Sequence, residues 1–306
     1  MAKTNVAAVP VSNKIKTSTG EKVFTVFNYT FFTILCLMML YPFWHELMVS
    51  LSDVASTTAG GFFLYPKGFN LDTYESVFKQ QKLLNGFLIT IFVTVFGTVV
   101  GTFLTATTAY PLSKSRLRGN KFFMLLILFT MIFNAGMIPN YLLVRNLGMY
   151  NTVWALILPL MVSAYNVIIM RSFFTSISPS MEEAAHIDGA NDLRIFFSII
   201  LPLSKATIAT IALFNAVMYW NDYLSSVLYS NTDTFWSLQQ VLRNMLTNTA
   251  QAMQQAGVQV VGTSNNTTAT TIKAGSVIVA TVPILIVYPF VQKYFVKGVM
   301  IGGVKG

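Results

Sequence analysis

The chain has 306 residues, of which 54% are hydrophobic and only 10% charged, with a mean hydropathy of +0.60 and a net charge of +9. Soluble domains carry about a quarter charged residues, so this composition excludes an ordinary soluble protein and predicts a membrane protein. The single cysteine, Cys36, excludes a disulfide within the chain and a thiolate metal cluster. The two histidines, His45 and His186, are too far apart in sequence to predict a shared metal site.

Six apolar runs are long enough to cross a bilayer, since a spanning helix needs roughly 20 mostly apolar residues. In chain order the predicted spans are 24–50, 84–110, 121–142, 151–170, 204–229 and 274–296. The first run follows a polar segment and is not followed by a small-residue cleavage site, so we interpret it as a span and not as a cleaved signal peptide. Runs such as 122–133 (FFMLLILFTMIF) do not alternate as barrel strands do. The sequence predicts an all-α membrane domain over 24–306, after a cytoplasmic tail over 1–23.

The distribution of lysine and arginine predicts the orientation, because cytoplasmic loops near membrane ends carry an excess of both. With the N-terminus in the cytoplasm, 14 of the 20 basic residues lie inside and six outside. This topology places both termini and the loop over 171–203 in the cytoplasm. The positive charge flanks membrane spans, so it does not require a nucleic-acid partner.

Two long loops lie outside the membrane in this topology. The loop over 51–83 contains NLDTYESVF (70–78), which predicts a short amphipathic helix on the outer surface. The loop over 230–273 begins with TDTFWSLQQVLRNML (232–246), which predicts a second short helix. It continues into GTSNNTTATT (262–271), a polar tract that we interpret as an unstructured spacer.

A polar segment over 182–205, EEAAHIDGANDLRIFFSIILPLSK, interrupts the apolar runs on the cytoplasmic side. Ser180 with Glu183 has the spacing of a capping box and predicts the start of a helix. Gly189 is suited to end that helix in a left-handed conformation, and Asn191 to cap a second one. Pro202 is expected to redirect the chain at the start of the fifth span. This helix–turn–helix offers acidic and apolar groups together, which predicts a docking site for a soluble partner.

The fifth predicted span contains the clearest candidate for a substrate pathway. Asp222 is an ionisable residue near its outer end, and such residues in spans tend to mark pathways. Aromatic faces with carboxylate and amide groups are typical of sugar binding, and this cluster, Tyr219, Trp220, Asn221, Asp222 and Tyr223, holds both kinds of group. The other explanation is an interfacial aromatic belt, with Asp222 paired to an external Arg or Lys. Weaker pathway candidates, equally explained as interhelical hydrogen bonds, are Asn134, Asn140, Tyr165 and Asn166.

The spacing in the cytoplasmic segment resembles the EAA loop of permease subunits in ATP-binding-cassette (ABC) importers. Glu183-Ala184-Ala185 is followed after three residues by Gly189, after nine more by Ile199, and after one more by Leu201-Pro202. Further resemblance to the carbohydrate-type permeases covers most of the chain from about residue 70, in the segments 85–119, 220–228 and 293–306. The segment 134–159 resembles the branch for oligosaccharides and uronate-containing oligosaccharides.

The resemblance implies the fold of a type I ABC importer permease, a transport subunit with no enzymatic activity. It implies that the cytoplasmic helix inserts into a groove of an ATPase subunit. The docking residues carried over from it are Glu182, Glu183, Ala184, Ala185, Asp188, Gly189 and Ala190. The sequence contains no GxxxxGK[ST] motif, so we expect ATP and Mg²⁺ to be bound by the separate ATPase and no cofactor by this chain.

The implied partners are a second permease subunit in a heterodimer, two ATPase subunits, an external solute-binding protein and membrane lipid. We expect the complex in the cell membrane of a prokaryote. A peptide or amino-acid permease of the same fold is the nearest alternative, because it would share the docking loop. An ion-coupled secondary carrier fits less well, since it would need several buried acids and only Asp222 qualifies.

Overall fold

The computed structural model describes residues 18–256 and 268–302, and the regular elements within them are helices, which confirms the all-α prediction. In chain order they are α1 (Thr19–Ser50), α2 (Val54–Ala59), α3 (Asp72–Lys79), α4 (Gln81–Leu112), α5 (Asn120–Ile132), α6 (Met137–Asn146), α7 (Val153–Ile157), α8 (Ala164–Ser176), α9 (Pro179–Ile187), α10 (Asp192–Ile195), α11 (Leu201–Leu203), α12 (Lys205–Asn221), α13 (Leu224–Tyr229), α14 (Leu238–Ala256) and α15 (Ala269–Gly302). The connecting turns are 3₁₀-helical at Leu158–Leu160 and Asp233–Phe235 and π-helical at Phe196–Ile200.

Three continuous helices, α1, α4 and α15, are long and apolar enough to cross a membrane. These helices contain the first, second and sixth predicted spans, 24–50, 84–110 and 274–296. The first helix begins at Thr19, before the predicted position 24, because the Glu21 carboxylate accepts a hydrogen bond from the Ser18 amide at 2.9 Å and supports an additional turn. The predicted boundary of the N-terminal tail therefore falls inside α1, and residues 1–17 lie outside the described part of the chain.

The other three predicted spans are broken helices and not single rods. The angle between the two halves is 112° for α5 and α6, 48° for the segment Val153–Leu160 and α8, and 82° for the segment Asp192–Leu203 and α12. With each bent pair counted as one crossing, the described residues contain six candidate spans, as predicted. Each of the predicted ranges 121–142, 151–170 and 204–229 therefore contains parts of two helices and not one continuous helix.

Each break has a local cause. Between α5 and α6, Gly136 has a left-handed φ of 90°, and the Asn134 side chain accepts its amide at 2.9 Å. In the second pair, Pro159 lies in the 3₁₀ turn and has no amide to donate. The fifth predicted span, 204–229, also contains a second interruption, because Asp222 is extended (ψ 114°) and separates α12 from α13.

Helix α4 packs closely against the other helices through its glycines. A Cβ added to Gly97 would lie 2.5 Å from the Tyr219 ring, and one added to Gly101 would lie 2.6 Å from the carbonyl oxygen of Met161. Small residues allow such close approach between membrane helices, where dispersion contacts replace the hydrophobic effect as the source of attraction. The packing of α4 against α12 and the α7–α8 break therefore depends on these two positions.

A buried polar chain joins α4, α8 and α12. The Asn166 side-chain amide donates to Asn215 Oδ1 at 2.9 Å, and Asn215 Nδ2 donates to Thr102 Oγ1 at 3.1 Å. All three side chains belong to residues that are less than 10% exposed. Asn166, a weak pathway candidate in the sequence, thus has the interhelical role that was its alternative explanation.

Helices form where they were predicted in the loops over 51–83 and 230–273. In α3, Thr73 and Val77 are buried against α15, whereas Glu75 and Lys79 form an exposed ion pair on the opposite face. The second predicted helix begins at Leu238 as α14, after the 3₁₀ turn that contains Phe235. Of the predicted unstructured spacer over 262–271, residues 262–267 lie outside the described residues. The prediction is wrong for its end, because Thr268 is buried and hydrogen-bonded to Thr271 and α15 begins at Ala269.

Replacement of Gly101 by Ala should lower the stability of the protein, because the new methyl group would contact the Met161 carbonyl and force α4 from the α7–α8 break. Overpacking of this kind costs about 1–3 kcal/mol. Thermal unfolding of the purified protein in detergent would measure the change. The matched control is Gly20→Ala in the exposed first turn of α1, where the nearest atom lies 3.9 Å away. Equal melting temperatures for the two variants would contradict the close packing described above.

Candidate docking surface and translocation pathway

Helix α9 begins two residues earlier than the sequence predicted. Pro179 is its first residue and Ser178 its N-cap, so the predicted capping box of Ser180 and Glu183 is wrong. Proline favours the first helical position, since its φ is already helical and its missing amide is not needed there. The Ser180 hydroxyl instead hydrogen-bonds the Ser178 hydroxyl at 2.8 Å.

The end of α9 follows the prediction for Gly189, which adopts a left-handed φ of 81°. The Gly189 amide donates to the His186 carbonyl at 3.0 Å, and the Ala190 amide donates to the Ala185 carbonyl at 2.9 Å. These two bonds form a Schellman motif, which satisfies carbonyls at the helix end that would otherwise have no partner.

The second helix of the cytoplasmic segment is capped by Asn191, as predicted. Its side chain accepts the Arg194 amide at 2.8 Å. The chain then passes through the π-helical turn into α11, which contains Pro202. The 82° change of direction follows at Ser204, so the chain turns two residues after the proline to which the sequence assigned the turn.

The seven predicted docking residues divide between the two faces of this segment. Those exposed to solvent are Glu183, Ala184, Asp188 and Gly189, and those turned inward are Glu182, Ala185 and Ala190. Both inward alanines pack against the apolar core that contains Ile195 and Phe196. Their small side chains therefore bring the segment close to its own core, and the first group is the more exposed of the two.

Two apolar side chains complete the exposed face and were not among the predicted docking residues. Ile187 is 87% exposed and Leu193 is 68% exposed. Exposed apolar groups surrounded by polar residues favour a protein interaction site. The signal in the sequence was present, since Ile187 lies between two polar residues, His186 and Asp188, where an inward role is not expected.

At the outer end of α12, the five predicted pathway residues do not form one pocket. Tyr219 is 2% exposed, and its hydroxyl donates to the Ile157 carbonyl at 2.9 Å. Trp220 is 8% exposed and meets the edge of Phe87 at a centroid distance of 6.2 Å. These two aromatic residues are packed between helices in this conformation.

The other three predicted residues, Asn221, Asp222 and Tyr223, lie at or near the surface. The Asp222 carboxylate accepts the Ser225 amide at 3.2 Å and so begins α13. The enclosed cavity beside it measures about 10 Å³, which is room for one water molecule at most and not for a sugar ring. Any substrate contact with Asp222 in this conformation must therefore come from the exposed side.

The predicted pairing of Asp222 with an external Arg or Lys is not observed among the residues that the structure describes. The basic side chains nearby have other partners: Lys82 pairs with Asp233 at 2.9 Å, and the Arg243 guanidinium lies 4.5 Å from the Tyr223 ring centroid. The hydrogen bond from Lys82 holds the pKa of the Asp233 carboxyl below its usual value. Arg243 and Tyr223 together place a cation beside an aromatic face at an exposed surface.

Residues 97–301 match the family described as binding-protein-dependent transport system inner membrane component. Over 286 residues the chain is 42% identical to the polygalacturonan/rhamnogalacturonan transport system permease protein YtcP of Bacillus subtilis (strain 168), with coverage of 94% of this chain and 99% of that protein. It is also 42% identical over 291 residues to Protein LplC of the same organism, with coverage of 93% and 96%.

A solved structure has the same arrangement of helices. It is the crystal structure of a bacterial ABC transporter involved in the import of the acidic polysaccharide alginate. One of its chains superimposes with a TM-score of 0.84 and 34% sequence identity, with coverage of 92% of this chain and 100% of that one. The fold of the described chain is thus shared with a chain of an ABC importer.

Replacement of Gly189 by Val should loosen the end of α9, because a β-branched residue is strained at a φ of 81°. Asn tolerates this conformation better, so Gly189→Asn is the matched control. Hydrogen–deuterium exchange of the peptide over 179–195 should be faster in Gly189→Val than in Gly189→Asn or the unmodified protein. The same exchange rate in all three proteins would show that the Schellman motif does not hold the turn.

Proposed function

The chain belongs to the family of binding-protein-dependent transport system inner membrane components, and we propose that it is one of two permease subunits of an ABC importer for uronate-containing oligosaccharides. The observation that carries this proposal is the exposed helix–turn–helix over 179–195, with Ile187 and Leu193 at its surface. It connects two of the broken helix pairs. The sequence contains no GxxxxGK[ST] nucleotide-binding motif. A membrane subunit of this kind must receive energy through contact.

Contact with the ATPase would involve the exposed face of the cytoplasmic segment. Glu183 and Asp188 provide charge at its rim, and Ala184 and Gly189 leave room for close approach. Ile187 would fill an apolar pocket of the groove. In this proposal Glu182, Ala185 and Ala190 support the face from below and do not touch the ATPase.

The partners follow from this arrangement. Six candidate spans enclose only part of a pathway, so a second and different permease subunit would complete it. Two ATPase subunits would bind ATP and Mg²⁺ on the cytoplasmic side, and an extracytoplasmic solute-binding protein would deliver the substrate. The excess of basic residues in the predicted inner loops supports cytoplasmic termini, in the cell membrane of a prokaryote.

An acidic oligosaccharide is the substrate class that the relatives favour. A permease 42% identical over nearly the whole chain is named for polygalacturonan and rhamnogalacturonan, and the importer of similar structure carries alginate. These polymers all contain uronic acids. On this chain, Arg243 beside Tyr223 offers a guanidinium for a carboxylate and a ring for the C–H face of a sugar.

Reconstitution in liposomes tests the function. The chain would be combined with its second permease, the ATPase subunits and the solute-binding protein, and ATP hydrolysis and uptake would be followed. Oligogalacturonates should stimulate both, whereas neutral oligosaccharides should do so weakly and peptides not at all. Stimulation by peptides alone would replace this proposal with a peptide permease, and uptake driven by an ion gradient without ATP would replace it with a secondary carrier.

Replacement of Ile187 by Ser should weaken binding of the ATPase, because burial of an isoleucine contributes about 1.5–3 kcal/mol. This corresponds to a loss of affinity of roughly tenfold or more. Co-purification of the ATPase with the permease pair, at graded ATPase concentration, measures it. The control is Phe62→Ser, which replaces another strongly exposed apolar residue (76%), on the predicted outer side. An effect of equal size in both variants would contradict an interface at Ile187.

Replacement of Arg243 by Gln should raise the half-saturating concentration of acidic oligosaccharides several-fold, because the guanidinium that attracts their carboxylates is lost. Uptake of a neutral oligosaccharide of the same length should change little. The control is Arg243→Lys, which keeps the charge and should keep part of the preference. If the half-saturating concentrations of acidic and neutral substrates change alike, Arg243 does not recognise the uronate group.

A further inference from the structure

Glu182 was predicted to be a docking residue, but its side chain is largely enclosed by the protein. Its carboxylate pairs with the ammonium group of Lys114, and the two side chains are only 12% and 17% exposed. The same ammonium group lies 4.5 Å from the centroid of the Tyr110 ring, one α4 turn before Lys114. Because water screens this pair poorly, it is held more firmly than an exposed surface pair.

Lys114 belongs to the short basic turn that follows α4, and that turn is bound to the elements on both sides of α9. The Arg171 side chain on α8 donates to the Leu112 carbonyl at 2.8 Å. On the other side, the Arg116 guanidinium pairs with Asp192, the first residue of α10. The end of α4 and the cytoplasmic helix–turn–helix are thus joined by side chains and not only by the chain connection.

Helix α4 extends from this junction to the outer candidate pathway. Thr102 accepts the Asn215 amide of α12, and Gly97 lies against the Tyr219 ring. Near its outer end, Thr90 Oγ1 accepts the Leu238 amide of α14 at 2.8 Å. A displacement of the cytoplasmic end of α4 must therefore displace α12 and the residues around Asp222 as well.

We propose that Glu182 is a positioning residue, and that its pair with Lys114 remains closed throughout the transport cycle and transmits the displacement of α9 to α4. Glu182 does not enter the ATPase groove. The exposed face of α9 receives the displacement, and the Glu182–Lys114 pair carries it to the helix that borders the outer candidate pathway. This inference rests on the proposed function, since it assumes that an ATPase moves α9.

The exposed pair Arg116–Asp192 provides a comparison within the same surface. Its side chains are 56% and 61% exposed, so solvent screens it and its removal should have little effect on transmission. Asp192→Asn is therefore a matched control for Glu182→Gln: each removes one carboxylate charge and keeps the shape of the side chain.

The first test measures substrate transported per ATP hydrolysed in liposomes that contain the complete importer. Glu182→Gln and Lys114→Gln should each bind the ATPase with unchanged affinity and hydrolyse ATP, while the transport ratio falls about threefold or more. Asp192→Asn should leave the ratio unchanged, and the double variant Glu182→Lys/Lys114→Glu should recover part of it. An unchanged ratio in both Gln variants overturns the proposal, as does loss of ATPase binding in Glu182→Gln, which would make Glu182 a docking residue.

The second test determines whether the contact stays closed. Cys36→Ser removes the only cysteine of the chain, and Lys114→Cys with Glu182→Cys then places two thiols at the pair. After cross-linking with a short bis-thiol reagent, the importer should keep most of its transport and regain coupling relative to the reduced form. Loss of transport on cross-linking, with recovery after cleavage, would show that the two residues must separate and overturns the proposal.

Failure of the proposed function would give a different experimental result from failure of this inference. If the unmodified chain with its partners shows no ATP hydrolysis stimulated by the binding protein and its ligand, the importer function itself fails. If the unmodified importer works and the Glu182 and Lys114 variants behave like it, only the inference about the pair fails.

Discussion

The close contact of α4 with its neighbours is the constraint on which the rest of the structure depends. Membrane helices gain no hydrophobic driving force by associating, so their contacts rely on fitting surfaces and on buried hydrogen bonds. Gly97 and Gly101 let α12 and the α7–α8 break approach α4, and the chain from Asn166 through Asn215 to Thr102 fixes the register of the three helices. Both functional regions are built on this group of helices, one at each end.

The broken spans also depend on contacts with neighbouring protein groups. A helix interrupted inside a membrane leaves backbone groups without partners, which is tolerated only where other protein groups supply them. At the α7–α8 break the carbonyl of Ile157 accepts the Tyr219 hydroxyl, and at the α5–α6 break Asn134 supports Gly136. These interruptions change the direction of the chain within single crossings. They give the subunit oblique surfaces, which straight helices would not provide, for its partners and for a pathway.

The sequence predicted the number of spans, the outer helices, Gly189 and Asn191 because each depends on local chemistry. Hydropathy indicates where apolar runs lie, but it does not indicate that the helix axis changes direction near Asn134 and Ser204. The bends were therefore not predicted. The start of α9 was wrong because two helix-start signals competed, and the fixed φ of Pro179 prevailed over the Ser180–Glu183 spacing. The inward position of Glu182 depends on Lys114, 68 residues earlier in the chain, and no local pattern contains that information.

The central claim is that this subunit receives energy through the exposed face of its cytoplasmic helix–turn–helix. Cross-linking of single cysteines to the ATPase in the assembled complex, in a Cys36→Ser background, tests it most directly. Ile187→Cys and Leu193→Cys should cross-link to the ATPase, while Ala185→Cys, which is turned inward, should not. Cross-linking from Ala185→Cys but not from Ile187→Cys, or labelling of Ile187→Cys by an impermeant reagent added outside intact cells, would contradict the account.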